Sequence, residues 1–566
     1  MIHSSGQFSV FRSPRFWVSL ALSAVIYLPS LFWALGLDQN IFAEIGSLLL
    51  NGKRPYLDAW DVKPPNIFYT YALFEWLIGR TDFAVRLSDY LSTLAACAVM
   101  FVWVDRQVRT HSENIVHCLP FVASLLLILT LLSLGLSDTA QTESYSLVFL
   151  LIAACSIPQS PPPSDPPPHP ASPPAGREEK FLILPLSPSR GRGRVRGRRL
   201  GGGAFPFIAG AAIGIATFYK STNAIFLLPI AIELMLVRRT DARRLRMFGL
   251  LIAGFLIVSG LELGVLALWG NLSEYVTIAL NVARAHPEEI SNLHFFDLFS
   301  ALWNMVDIWS IVALIGICWA VVKRDAPVLT ALRMSLLYLA AGLAAVYFQN
   351  KGWGYHYVIV LPGLIGTCAI ASFYLFLQLR DRSRPLAISL ALIVIVLTLT
   401  LSPSARRRLH YTQDAISSIQ SHPKYLASLG AHQSLYYPPC TEALANYIRS
   451  RTSPTDRVFI FGEEPGAYWK SGRQAASRYI YTLLFTSGVL SSKDLRAMDD
   501  TIATEKPLLF IVERFDTTRF RNKPETSETL LRDDSDFRPL NALLQHEYRL
   551  CDTVCGKFLI YKPGLR

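Results

Sequence analysis

The sequence predicts a mainly α, polytopic membrane protein of about eleven transmembrane helices, followed by a C-terminal extracytoplasmic α/β domain. Three observations predict it. Of 566 residues, 51% are hydrophobic and the mean hydropathy is +0.32. Charged residues make up 17%, against about 25% in a soluble domain. The apolar residues gather into separate runs of helical length up to residue 402, and beyond them charge returns. This composition excludes a single soluble enzyme and excludes disorder for most of the chain.

A hydrocarbon core about 30 Å thick takes roughly 20 apolar residues in helical form. Candidate spans are 16–36, 83–104, 118–136, 143–157, 204–219, 221–237, 247–269, 303–322, 328–348, 356–378 and 385–402. The first is too long for a cleaved signal peptide, and no small-residue cleavage site follows it. Basic residues fix the orientation. Arg12 and Arg15, then Arg106 and Arg109, then Arg238 to Arg246, Lys323 to Arg333 and Arg380 to Arg384 all fall on one side when the spans are counted alternately. The N-terminus is therefore expected in the cytoplasm and the C-terminus outside, in a bacterial inner membrane.

Residues 404–566 are expected to form the extracytoplasmic domain, and 1–403 the membrane domain. Short apolar runs at Arg457–Phe461, Pro507–Val512 and Lys557–Tyr561 read as strands, with helical stretches such as Thr441–Arg449 between them. Cys440, Cys551 and Cys555 lie in this region, where oxidation is expected. Cys551 and Cys555 suit a local bridge, but three cysteines leave the pairing open.

The net charge is +12. Residues 156–203 carry 8 basic and 3 acidic residues and 12 of the 34 prolines. Proline lacks the backbone donor and fixes φ, so this segment reads as a disordered cytoplasmic loop near anionic headgroups. Its Arg-Gly run lacks the interleaved aromatics of a nucleic-acid tract, and no nucleic-acid partner is expected. Deleting 156–203 should leave activity intact; an inactive deletion variant that still inserts normally would contradict that.

The chemistry is expected in the loop 37–82. Ionisable groups at the mouth of a membrane bundle are costly and point to function. Asp38 directly follows the first span. Residues 40–51 are amphipathic, and Asn51-Gly52 ends that helix. Asp58 and Asp61 lie in an extended stretch, and Lys63 precedes Pro64-Pro65, which force an extended backbone at Lys63 and start an aromatic-rich interfacial helix. Glu143, Lys220, His286 and His356 lie at other outer ends of spans.

The run from Asp38 to Leu87 resembles the first periplasmic loop of GT-C integral-membrane glycosyltransferases, in the family 39-like bacterial branch related to protein O-mannosyltransferases and the lipid A aminoarabinose transferase. The matching pieces are Asp38-Gln39, Gly52-x-x-Pro55-Tyr56, Trp60-Asp61-x-Lys63-Pro64-Pro65 and Arg86-Leu87. Further pieces follow in order: Thr142-Glu143, Gly210-x-x-x-Gly214 leading to Lys220, His356-Tyr357, and the run from Phe461 to Tyr479. The resemblance implies transfer of a sugar from a polyprenyl-phosphate donor to an envelope glycan, lipid or protein. It implies Asp38 as catalytic base, and Lys63 with Arg86 on the donor phosphate. Asp58, Asp61, Glu143, Lys220, His286 and His356 are further site candidates. The chain departs from the family at Gln39, where many relatives are acidic. It departs again at Val62, where the aminoarabinose transferase has a metal-binding acid. A divalent metal is the one cofactor the resemblance brings in, and its ligands are not assigned.

Each residue also has a plainer reading. Asp38 could cap a helix, Lys63 could snorkel, and Glu143 and Lys220 could form a structural ion pair. His286 could be an exposed loop histidine, and Gly210-x-x-x-Gly214 suits close helix packing. The competing function is a polytopic transporter or lipid-linked-glycan flippase. That would place ionisable groups near span midpoints and repeat its halves. Here the ionisable residues gather at the outer ends, with Glu233 and Glu262 the main exceptions, and no internal repeat is present.

Overall fold

The computed structural model describes residues 10–108, 118–157, 204–236, 240–284, 295–349, 352–431, 436–482, 485, 490–516, 518–520 and 523–564. The insert 156–203 lies almost wholly outside these residues, and so do Arg109, Arg238 and Arg239. Among the described residues, fifteen α-helices precede residue 400: α1 Pro14–Tyr27, α2 Leu37–Leu50, α3 Asn66–Ile78, α4 Asp82–Val108, α5 Leu119–Leu132, α6 Thr142–Cys155, α7 Ala204–Thr217, α8 Leu227–Leu236, α9 Asp241–Leu268, α10 Leu272–Arg284, α11 Phe295–Val306, α12 Ile308–Lys323, α13 Ala326–Gln349, α14 Leu361–Arg382 and α15 Arg384–Val396.

The chain is a multi-pass membrane protein. Among the described residues, 6 segments are long and apolar enough to cross a bilayer, and α11 with α12 gives a seventh if their 107° bend is one broken span. The other four expected spans are short apolar helices: α5, α6, α7 and the stretch Ser221–Leu236. A 14-residue helix is about 21 Å long, so these rely on the turns at their ends and on neighbouring helices.

Burial sorts the spans. The segment Gly354–Arg382 is 94% buried over its apolar window and forms the centre of the bundle. Asp241–Leu268 and Arg384–Leu401 are only 17% buried and present Leu256, Leu261, Leu392 and Val396 outward, as lipid-facing helices do. Gly210 on α7 and Gly254 on α9 have no room for a Cβ, because each would meet the other helix's backbone. The small-residue spacing therefore serves close packing. Glu233, one of the two deep acids, makes a bidentate pair with Arg333 at 2.5 and 2.8 Å.

From residue 403 the chain continues as α16 Pro403–Gln420, α17 His422–Ser428 and α18 Pro438–Arg451. Next come β1 Arg457–Phe461, α19 Pro465–Ser471, β2 Gln474–Ala475, α20 Ser492–Glu505, β3 Leu509–Glu513, β4 Thr518–Phe520, β5 Lys523–Glu525, α21 Ser527–Asp533, α22 Arg538–Glu547, β6 Tyr548–Val554 and β7 Phe558–Pro563. The main sheet runs β2-β1-β3-β7-β6. β1 is parallel to β2 and β3, whereas β7 is antiparallel to both β3 and β6. The apolar strands β1 and β3 are its buried middle. β6 escapes a reading by apolar runs because it is an exposed edge strand. The disulfide joins Cys440 on α18 to Cys555, across 115 residues. This settles the pairing that the three cysteines leave open in the sequence: Cys551, a neighbour that suits a local bridge, is a free, exposed thiol.

The loop 37–82 folds back between bundle and sheet. Gly52, at φ +75°, ends the turn after α2. α19 packs against α2, with Gly466 held so close to Asn40 that a Cβ would collide with it. Two buried carboxyls hold this junction. Glu44 accepts from Arg80 at 3.1 Å. Glu75 accepts from Ser47 and, at 3.2 Å, from Trp469 on α19. Burial pushes both up to about 7. A carboxyl raised above its unfolded value binds more protons in the folded state, so stability falls as pH rises from about 4.5 through about 7. Gln at position 75 keeps an acceptor for Trp469 and offers Ser47 a donor. Glu75→Gln is therefore expected to raise the unfolding temperature at pH 8 and leave it nearly unchanged at pH 5. An equal shift at both pH values would contradict the assignment.

Candidate active site

Asp38 is the second residue of α2, after Gly36 at the N-cap. Unpaired amides and the helix dipole favour a carboxylate there. The side chains around it fix this helix end. Gln39 accepts from the Gly36 amide at 2.8 Å. Its Nε2 donates to the carbonyls of Leu136, Ser137 and Thr139 at 3.1, 3.1 and 2.7 Å. A carboxylate cannot donate to three carbonyls. The departure at Gln39 is thus a clip onto the loop 133–141.

Arg86 braces the same loop. Fully buried on α4, it donates to the carbonyls of Trp33, Ala34 and Leu136 and to the Thr139 hydroxyl. Asp89, one turn further along, accepts from the Ala140 amide and the Tyr27 hydroxyl, both at 2.9 Å. Ala140 itself sits at φ +55°. Arg86 is expected at the donor phosphate; in the structure four contacts of its buried guanidinium go to the loops that shape the site.

The braced loop presents Asp138, which packs against Gly354 and is pushed up to about 6 by burial. Tyr355 begins the segment leading into α14, and its side chain lies near the Asp38 carboxylate. Two ammonium groups flank the Tyr355 ring, Lys63 at 5.8 Å and Lys220 at 5.6 Å from its centroid. Lys220 is ion-paired with buried Glu143, and His356 Nε2 lies 3.9 Å from the same carboxylate. Asp61 completes the wall. It accepts from the Lys63 amide at 2.7 Å and from the Tyr481 hydroxyl at 2.8 Å. Burial raises it, and the Asp38 carboxylate raises it further.

Six of the expected residues thus converge: Asp38, Asp61, Lys63, Glu143, Lys220 and His356. Asp58 does not join them. It accepts from the Arg54 amide at 2.7 Å and closes its own turn. His286 lies outside the described residues. Asp138, Tyr355 and Tyr481 were not among the expected residues. Among the described residues no three His, Cys, Asp or Glu side chains form a metal-holding group. Both Asp61 oxygens accept hydrogen bonds.

These features define a polytopic helical membrane protein with an ionisable mouth roofed by a C-terminal mixed sheet. No protein-family model matches the sequence, and no curated protein does. Solved structures do match. ArnT from Cupriavidus metallidurans bound to undecaprenyl phosphate is similar over 98% of this chain and 100% of its own, at 12% identity and a TM-score of 0.55. Apo ArnT is similar over 97% and 98%, at 13% identity and 0.56. The apo oligosaccharyltransferase of Archaeoglobus fulgidus is similar over 89% of this chain and 70% of its own, at 11% identity and 0.50. The chain has an ArnT-like GT-C fold.

Proposed function

We propose that the chain is a glycosyltransferase of the cytoplasmic membrane. It moves a hexosyl or pentosyl group from a polyprenyl-phosphate carrier to an envelope lipid, glycan or protein on the outer face. Asp38 takes the proton of the acceptor hydroxyl as that oxygen attacks the anomeric carbon. The new C–O bond forms while the bond from that carbon to the phosphate oxygen breaks. The bonding pair leaves on the phosphate, where Lys63 and Lys220 meet the growing charge. Tyr355 orients Asp38, and Glu143 aims Lys220.

One observation carries the reading: a carboxylate at a helix N-terminus and two lysines converge on one tyrosine, at a mouth built from four distant segments. Similarity to an ArnT that binds undecaprenyl phosphate supports the carrier class. The donor enters laterally from the lipid, and the acceptor comes from the aqueous side.

Comparing envelope glycans of cells with and without the gene tests this. One glycosylated species should disappear, and an unchanged profile would contradict the proposal. Lys63→Ala should raise the apparent KM for the donor about tenfold or more, since hydrogen bonds to charged groups contribute about 1.5–3 kcal/mol. An unchanged donor KM would remove its phosphate role.

A further inference from the structure

A cavity lies beside the turn of Lys53, Leu57 and Asp58, which leads on to Trp60 and Asp61. Its volume is about 250 Å³, and it opens between that turn, the β2 edge of the sheet and α20. Lys53, Asp58, Arg457, Gln474, Arg478 and Tyr479 line it, over an apolar floor of Leu48 and Met498. None of these six takes part in the reaction described above.

The charges around the cavity identify its ligand. Arg457 pairs with Glu505 at 3.2 Å. Arg478 pairs with Glu274 at 2.8 Å and Asp494 at 3.6 Å. Asp58 pairs with Arg54 at 3.6 Å. Lys53, Arg54, Arg457 and Arg478 are thus balanced by Asp58, Glu274, Asp494 and Glu505. An anion finds no net positive field here. A neutral polyol does better: its hydroxyls accept from guanidinium, ammonium and amide groups and donate to the carboxylate and the Gln474 carbonyl. The volume is below the roughly 300–1,000 Å³ of drug-sized sites, so it suits a single ring.

The cavity is mechanically continuous with the reacting mouth. Trp60 donates its amide to the Arg478 carbonyl at 2.8 Å, and its indole lies 6.0 Å from the Tyr479 ring. Two residues beyond Tyr479, Tyr481 bonds Asp61. We infer that this cavity is a subsite for one neutral sugar ring of a glycan acceptor. Calling the ring part of an acceptor rests on the transferase reading; the binding of a neutral sugar does not.

Saturation-transfer NMR on the purified full-length protein tests it, with methyl glucoside, galactoside and mannoside as probes and inorganic phosphate as comparison. Gln474 and Ala497 are exposed, so changing them spares the core. At least one hexoside should bind the wild type. Ala497→Trp, which fills the cavity, and Gln474→Ala should each weaken it about tenfold or more, with the unfolding temperature unchanged. No hexoside signal, equal binding to Ala497→Trp, or displacement of the hexoside by phosphate would overturn the subsite. A protein that binds the hexoside but never cleaves a labelled polyprenyl-phosphate sugar overturns the transferase reading and leaves the subsite standing. Cleavage without hexoside binding overturns the subsite alone.

Discussion

Asp38→Asn is expected to lower transfer by about 10²- to 10⁴-fold, the range that a positioned general base contributes. The effect should fall on turnover. Asn keeps the shape of Asp and the same place in the first turn of α2, so insertion and unfolding temperature should stay at wild-type values. Donor binding should also survive, because Lys63 and Lys220 are untouched. A variant with full turnover would remove Asp38 as the base. Loss of both folding and turnover would make Asp38 a helix-end residue, which is the plainer reading of its position.

The largest stability effect is expected from Lys557→Met. Lys557 is fully buried and pairs with Glu464 at 3.2 Å and Glu513 at 2.7 Å, both also fully buried. Taking away one member of a buried ion pair leaves an uncompensated charge and costs about 3–5 kcal/mol. Burial, with Glu513 adding to it, already pushes Glu464 up to about 8. With a carboxyl raised in this way, folding stability falls as pH rises from about 4.5 through about 8, and without Lys557 both acids rise further. The penalty should therefore be greatest above pH 8 and shrink toward pH 5, as read by the difference in unfolding temperature between variant and wild type. Glu464→Gln in the same background should recover part of it. A pH-independent penalty would contradict the charge argument. Glu464 directly precedes α19, which packs on α2, so the cluster also supports the helix that carries Asp38.

Sequence reading reached the parts of the fold set by local chemistry. Gly52 ended α2, Pro65 opened α3, and the runs at Arg457 and Leu509 became the central parallel strands, because proline, positive φ and burial act within a few residues. Sequence spacing could not deliver what depends on distant partners. Asp138, Tyr355 and Tyr481 meet Asp38 and Asp61 across separations of 100 residues or more, and a single aspartate in a short loop carries no signal of that. Tyr355 directly precedes His356-Tyr357 and Tyr481 lies two residues beyond Tyr479, and that nearness is the one signal the sequence carries for them. Arg86 was expected at a phosphate because it is a cation in the right order. Its burial against four carbonyl and hydroxyl oxygens makes it a brace. Gln39, a departure by residue type, is explained by three carbonyls that only a donor can satisfy. The Cys440–Cys555 bridge depends on the docking of α18 against the β6–β7 hairpin, and the nearness of Cys551 in sequence pointed the wrong way.

The most direct test of the central claim is a turnover assay on the purified protein in liposomes with a radiolabelled polyprenyl-phosphate sugar. The account predicts release of polyprenyl phosphate with label appearing on an acceptor or as free sugar, and loss of both in Asp38→Asn. Movement of the intact labelled lipid across the bilayer without cleavage would contradict it and identify a flippase.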